Sequence, residues 1–354
     1  MSAGIESWYK LQQWPDAVLI GSWKLERWCG SKLVAIGMRG NRSSAEFMIY
    51  DVGHNMWDAS WRVIALPTPH QAIVRQVTVA AERATMFVNT RRGGIYECDA
   101  RNYYLTVESE FADGGHIMWV NDALHVLRHK QREHIVWRPD RLEVSDTNSG
   151  NSRYPIRDCR FRLVGVEQRG ILLAWNPESG EIYMFSAGHM WRSTNLYLRS
   201  EAGKAGCRML GTSSLCGRYV FFVRVGARCG GSIQILDLGD QDAGQVTLWT
   251  SKMRLPHCTQ DCNSVGSRSE QHVANSKVAK VACICVARCG PSKADVQEAL
   301  TGVIGLNGFP NVLGEIIASY MIWSQLHVVW RDGTHWAIPA HLVIESRLQQ
   351  RESQ

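Results

Sequence analysis

The chain has 354 residues, 45% of them apolar and 20% charged, with a formal net charge of +6 at pH 7. This composition excludes a disordered or fibrous polymer and suits two ordinary domains or one large all-β domain. There is no run of eighteen apolar residues, and no basic start followed by a long apolar stretch, so neither a membrane span nor a secretory leader is expected.

Strand signals dominate from the first residues onward: short apolar or alternating runs, punctuated by Gly, Asn, Asp and Ser. The segment "SWYKLQQWP" (7–15) reads as an outermost strand with no companions before it. A first four-strand unit follows with "AVLIG" (17–21), "LVAIG" (33–37), a polar hairpin, "FMIYDV" (47–52) and Trp57. The second unit holds "QVTVA", "TMFVN" and "IYECD", with Tyr103 or Tyr104 in the place of the tryptophan. "HIMWV", "ALHVL" and "HIVWRPD" make a third. The fourth is "RLVGV", "ILLAW", "IYMF" and Trp191, and the fifth "CRMLG", "YVFFVRV", "SIQILDL" and Trp249. "VACICV" is assigned to the second strand of a sixth unit, because "ICVARCGPS" echoes "VRVGARCGGS" sixty residues earlier. A seventh unit, "SYMIW", "QLHVVW" and "THWAIP", ends before its fourth strand, which 7–15 supplies. The second strands recur about every 49 residues, the period of four-stranded propeller blades. Pairing the two chain ends in one blade removes the open sheet edges.

The phrases "YDVGHNMW" and "FSAGHMW" fall at the same place in units one and four, whereas "GGHIMW" falls on a first strand. With Tyr50, Asp51 and Trp57 spaced as in "IYDVGHNMW", and with double glycines at Gly93–Gly94 and Gly230–Gly231, the units resemble kelch repeats. The resemblance implies one all-β domain over 1–354: a kelch-like propeller of seven blades, or alternatively six, closed by the N-terminal strand. It also implies a protein-interaction scaffold rather than an enzyme, with no cofactor. Segment 257–321 is expected to be an irregular blade or a helical insertion within that domain.

Hairpins between second and third strands all emerge at one end of such a ring. Assigned to 39–44, 89–94, 128–133, 176–181, 226–232, 287–293 and 331–334, they carry eleven basic and four acidic residues, a net +7. The remainder of the chain is close to neutral. Arg outnumbers Lys nine to two in these tips, and Arg suits bidentate capture of carboxylate or phosphate. Arg39, Arg42, Arg91, Arg92, Arg128, Arg132, Arg228 and Arg288 are therefore the candidate binding residues. The expected partner is an acidic or phosphorylated protein; a nucleic-acid backbone is less favoured and a membrane is not expected.

Eleven cysteines at irregular spacing fit free thiols and an intracellular location, cytoplasmic or nuclear. His257, Cys258, Cys262, Cys283, Cys285 and Cys289 have zinc-compatible chemistry but match no standard spacing, and Cys283 and Cys285 share a strand face as small core residues would. No metal is therefore assigned. "FPNVLGEIIASY" within 292–321 resembles the core of an F-box, which would make the chain a substrate receptor of a ubiquitin ligase. An enzyme on the same fold is a further alternative, although no nucleophile elbow, phosphate loop or HExxH motif occurs.

Overall fold

The computed structural model describes residues 8–12, 24–28, 32–38, 44–52, 54–58, 62–65, 74–80, 83, 85–90, 95–99, 104–109, 116–128, 133–138, 141–145, 161–176, 179–186, 190–198, 208–225, 231–239, 246–253, 255–256, 281–289, 323–330 and 334–346. These residues form six antiparallel sheets, each a meander of four strand positions. Blade 1 runs Lys24–Arg27, Lys32–Met38 and Ser44–Asp51, with a fourth strand in two pieces, Met56–Trp57 and Arg62–Ala65. Blade 2 runs Val74–Ala80, Thr85–Thr90, Ile95–Asp99 and Tyr104–Ser109. Blade 3 runs His116–Val120, Ala123–Arg128, Glu133–Arg138 and Arg141–Ser145. Blade 4 runs Arg162–Val166, Ile171–Trp175, Glu181–Ser186 and Met190–Tyr197, and blade 5 Arg208–Ser213, Tyr219–Val225, Ser232–Asp237 and Thr247–Thr250. Blade 6 is composite: Val281–Cys289, Trp323–Trp330 and His335–Pro339 are completed by Tyr9–Lys10 from the other end of the chain.

The ring thus has six blades, not seven, and it closes through the N-terminal strand as expected. Tyr9 pairs with Ala337, Lys10 with Trp336, and the Leu11 amide donates to the His335 carbonyl at 2.8 Å. The seventh unit disappears because Val281–Cys289 is the innermost strand of the last blade rather than the second strand of a separate one; it pairs directly with Trp323–Trp330. The run fits that place because Cys283 and Cys285 face blade 1 while Ile284 and Val286 face blade 5, so both of its surfaces are covered. The echo with Cys229 is one of sequence only. The F-box-like segment 292–321 and the residues His257, Cys258 and Cys262 lie outside the described residues.

Each first strand contacts the first strands of its two neighbours, which closes the ring around a central axis. The core lies in the seams. One apolar cluster joins blades 2 and 3 (Phe87, Ile117, Trp119) and another joins blades 3 and 4 (Leu127, Leu163, Phe185). Blades 4 and 5 share a third (Val164, Trp175, Phe222), blades 5 and 6 a fourth (Phe221, Val286, Trp330), and blades 6 and 1 a fifth (Leu33, Tyr50, Cys285, Val329). Trp8 is buried in the fourth of these, beside Ala340 and Val343 of the short C-terminal helix Ala340–Glu345.

Features recur three blades apart. In blades 1 and 4 the shared Gly-His-(x)-Met-Trp phrase places a tryptophan opposite an aromatic of the third strand. Tyr50 pairs with Trp57 at a ring separation of 4.9 Å, and Phe185 with Trp191 at 5.3 Å. Blades 2 and 5 share a Gly-Gly pair ahead of the third strand, at Gly93–Gly94 and Gly230–Gly231. Blades 3 and 6 share Leu-His-Val in the second strand and a histidine at the start of the third. The two rings meet diagonally in each case: His125 Nδ1 lies 3.0 Å from His134 Nε2, and His327 Nδ1 lies 3.0 Å from His335 Nε2. Each dyad packs on the aromatic of the next blade, Phe185 for one and Tyr50 for the other.

Candidate binding face

The six innermost strands run in the same direction and in step. The Gln76 side chain acts as a piece of ladder between blades 2 and 3: its amide donates to the Ile117 carbonyl at 2.6 Å, and its Oε1 accepts from the Ile117 amide at 3.1 Å. Two residues on, the Trp119 amide donates to Thr78 Oγ1 at 3.0 Å. Blades 3, 4 and 5 approach too closely for a side chain. A Cβ on Gly165 would lie 2.4 Å from Val120 Cγ2, and one on Gly211 would lie 2.6 Å from Val164 Cγ2. Thr212 reaches the Cys285 thiol, which also feels the charges of Glu26 and Arg27. Thr78, Trp119, Gly165, Thr212, Cys285 and Glu26 therefore mark one level around the axis. Burial pushes the Cys285 thiol up to about 12, with the Glu26 charge adding to the effect, so it stays protonated at physiological pH and serves as core.

Because the strands run in step, their first residues meet at one end of the axis. Lys24 begins the inner strand of blade 1, His116 that of blade 3, Arg162 that of blade 4 and Arg208 that of blade 5; Arg75 is the second residue in blade 2. Arg162 is exposed. His116 is half-buried, with Nδ1 3.1 Å from Gln76 Oε1. Since that oxygen can only accept, His116 Nδ1 carries the hydrogen.

The second-to-third hairpins of all six blades, and the links from each blade to the next, leave the sheets at this same end. Six of the seven predicted tips belong to such hairpins. Of the predicted arginines, Arg39, Arg42, Arg91, Arg92, Arg132 and Arg228 lie outside the described residues. Arg128 ends the second strand of blade 3, its backbone paired with Glu133 beside the hairpin. Arg288 is misassigned: as the penultimate residue of a first strand it pairs with Ser324, so its backbone sits at the opposite end of blade 6 from the 331–334 turn.

Without 287–293, the six hairpins carry eight Arg and one Lys against four carboxylates, a net +5. The blade-to-blade links 12–23, 66–73, 110–115, 146–161, 199–207 and 251–280 hold ten basic and eight acidic residues, a net +2. At the other end, the first-to-second connections (28–31, 81–84, 121–122, 167–170, 214–218, 290–322) and the third-to-fourth connections (52–55, 100–103, 139–140, 187–189, 238–246) hold five basic and nine acidic residues, a net −4. By connectivity, the segments tethered at one end of the sheets sum to +7 and those tethered at the other to −4. At the acidic end, moreover, described arginines hold structure together. Arg218 forks onto Asp237 at 3.0 and 3.2 Å, and Arg169 donates to the Leu238 and Gly239 carbonyls at 3.4 and 2.7 Å, clamping blade 4 to blade 5.

Sequence reasoning missed the inner residues Lys24, Arg75, His116, Arg162 and Arg208. Their signal was a basic residue at the first or second position of the first strand, clearest in "RLVG" (162–165) and "RMLG" (208–211). Among the described residues no group of three or more His, Cys, Asp or Glu is arranged to hold a metal ion, and no helix is long and apolar enough to cross a membrane.

No family model matches the chain, and no curated protein does. Among solved structures it is similar to a streptogramin B lyase, at 11% identity and a TM-score of 0.45 over 96% of this chain and 89% of that one. A virginiamycin B lyase from Staphylococcus aureus matches at 10% identity and 0.46, over 94% and 88%. A nidogen/laminin complex matches at 9% and 0.41, over 61% and 76%. At these identities the likeness is one of architecture alone, and the kelch family is not among these matches.

Proposed function

We propose that this chain is a non-enzymatic, intracellular binding platform whose basic end captures an acidic or phosphorylated protein segment. The observation that supports this reading is the axial charge polarity, with +7 in the hairpins and links of one end against −4 in the connections of the other. Such a field steers an anionic partner to one end and raises its association rate, an effect screened beyond about 8–10 Å at physiological ionic strength. Arg-rich hairpins then grip carboxylates or phosphates through forked, charge-assisted hydrogen bonds.

The test is a quadruple variant, Arg91→Ala, Arg92→Ala, Arg128→Ala and Arg132→Ala, titrated with a glutamate-rich peptide and with its phosphoserine counterpart. Binding should weaken tenfold or more, and its salt dependence should flatten, with an unchanged melting temperature. Unaltered binding to both peptides would refute the platform reading.

A further inference from the structure

We propose that the N-terminal closing strand is exchangeable, and that a second copy of this chain can supply it to blade 6. Residues 8–12 are held by partners 43 or more residues away along the chain. Tyr9 pairs with Ala337 and Lys10 with Trp336, and the Leu11 amide donates to the His335 carbonyl at 2.8 Å. Trp8 is buried in one apolar cluster with Ile338, Ala340 and Val343, and Leu11 packs on the cluster shared by blades 6 and 1. The Gln12 amide donates to Asn55 Oδ1 at 3.0 Å, and Gln12 Oε1 accepts from the Trp57 amide at 3.1 Å. Between these two ends Tyr9 and Lys10 are exposed. One buried aromatic anchor, a short ladder and a polar clip are how a groove recognises an extended peptide.

The seat for this segment is built without it. Tyr50 donates its hydroxyl hydrogen to Asn55 Oδ1 at 2.6 Å, and Asn55 holds a left-handed φ of 50°, so the acceptor that meets Gln12 is fixed within blade 1. His335–Pro339 is held on its inner side by Trp323–Trp330. Withdrawal of Tyr9–Lys10 would leave its outer side as an open strand edge, a template for another chain. The occupant that fits is an identical segment. A second copy carries one, joined to its own blade 1 by residues 13–23. Reciprocal exchange repeats every contact of the segment in both rings, under two-fold symmetry, and leaves no edge open. Two closed monomers and one exchanged dimer therefore differ in the path of the link and in the cost of association. A short tether holds its own end at a roughly millimolar effective concentration, so the closed monomer prevails in dilute solution and exchange grows as the chain is concentrated.

The experiment mixes two full-length variants one to one, Tyr9→Cys in one chain and Ala337→Cys in the other, at positions that face each other in the ladder. Neither chain can join the two positions within itself. The mixture is held at about 0.5 mM and at about 5 µM, on either side of the range where a tether loses its advantage. It is then oxidised, and peptide mass spectrometry reads the disulfide between the introduced cysteines. That bond is expected in at least one pair of chains in ten at the higher concentration. It should fall at least tenfold at the lower one, and at least tenfold when Trp8→Ala is added to the first chain. No bond at the higher concentration, where a single chain carrying both substitutions crosslinks, would overturn the exchange. So would a bond equally abundant with and without Trp8→Ala, because a chance encounter of thiols needs no anchor. Sedimentation velocity on the unaltered chain gives a reading free of the cysteines. A dimer that grows over the same range and is lost with Trp8→Ala is expected, and a monomer throughout overturns the proposal.

Discussion

Blades 3 and 6 carry the same device built in two ways. Blade 3 is one continuous stretch, His116 to Ser145, with its dyad His125–His134 seated on Phe185 and Trp191. Blade 6 gathers three separated pieces of chain and seats His327–His335 on Tyr50, which in turn touches Trp57. Ring separations within the two dyads are equal at 5.2 Å, yet His125 keeps 6% exposure while His327 and His335 have none. In blade 6, His327 Nε2 and His335 Nδ1 also lack hydrogen-bond partners. The dyad at the seam that closes the ring is therefore the more fully buried of the two. Local sequence sets the dyad, and the assembly around it sets its environment.

The largest expected effect separates the composite blade from the continuous one. Deleting residues 1–15 removes the Tyr9–Lys10 strand, the buried Trp8 and the Gln12 side chain that accepts from the Trp57 amide at 3.1 Å. Chemical denaturation should show a loss upwards of about 4 kcal/mol. A loss under about 1 kcal/mol would mean that ring closure does not depend on this strand.

The aromatic seats come next. Trp57, Trp191 and Trp249 occupy matching places on fourth strands, opposite Tyr50, Phe185 and Ile235. Of the three only Trp57 is buried, at 6%, with the N-terminal Gln12 side chain accepting from its amide, whereas Trp191 and Trp249 are half-buried. Trp57→Ala should cost about 3–5 kcal/mol and Trp191→Ala roughly half as much. Equal costs in thermal melts would remove the distinction between the closing seam and its counterpart.

Acid should find the same difference. Burial holds His327 at about 3 and His335 well below the ordinary imidazole range, the latter also opposed by its neighbour. Their folded affinity for protons is lower than the unfolded one, so the unfolded chain takes up more protons below about pH 6.5. The contribution of His327 is full above that pH, falls as pH drops toward 3, and levels off below; that of His335 falls in the same direction. At pH 4.5 the loss traceable to His327 is on the order of 2–3 kcal/mol. No titratable loss between pH 6.5 and 4.5 in urea midpoints would contradict the burial of this pair.

The smallest effect is the sharpest control. His327→Leu with His335→Leu replaces two partners, and their unpaired nitrogens, by apolar groups of similar size. Stability at pH 7 should move by less than about 1 kcal/mol, while the acid-dependent slope flattens. A slope unchanged by the double variant would place the titration elsewhere.

Much of the architecture was legible in single residues. Trp8 and the strand at 7–15 had no partners nearby in sequence, which pointed to closure through the chain ends. Gly-His-(x)-Met-Trp in "YDVGHNMW" and "FSAGHMW" marked the third-to-fourth turns of blades 1 and 4. Strand existence depends on local alternation and apolar runs, which a sequence carries openly. Blade count does not. Val281–Cys289 has the apolar character of either a first or a second strand, and only its pairing with Trp323–Trp330 and its packing between blades 1 and 5 decides which it is. That choice reduced seven blades to six and moved Arg288 to the opposite end. The same holds for the binding face. The sequence by itself determined how many cations the hairpins carry, because charge is a property of residue type. Which connections share an end of the ring, and that Lys24, Arg75, His116, Arg162 and Arg208 meet around one axis, was decided by tertiary structure. Residues tens of positions apart become neighbours only when the inner strands lie parallel and in step.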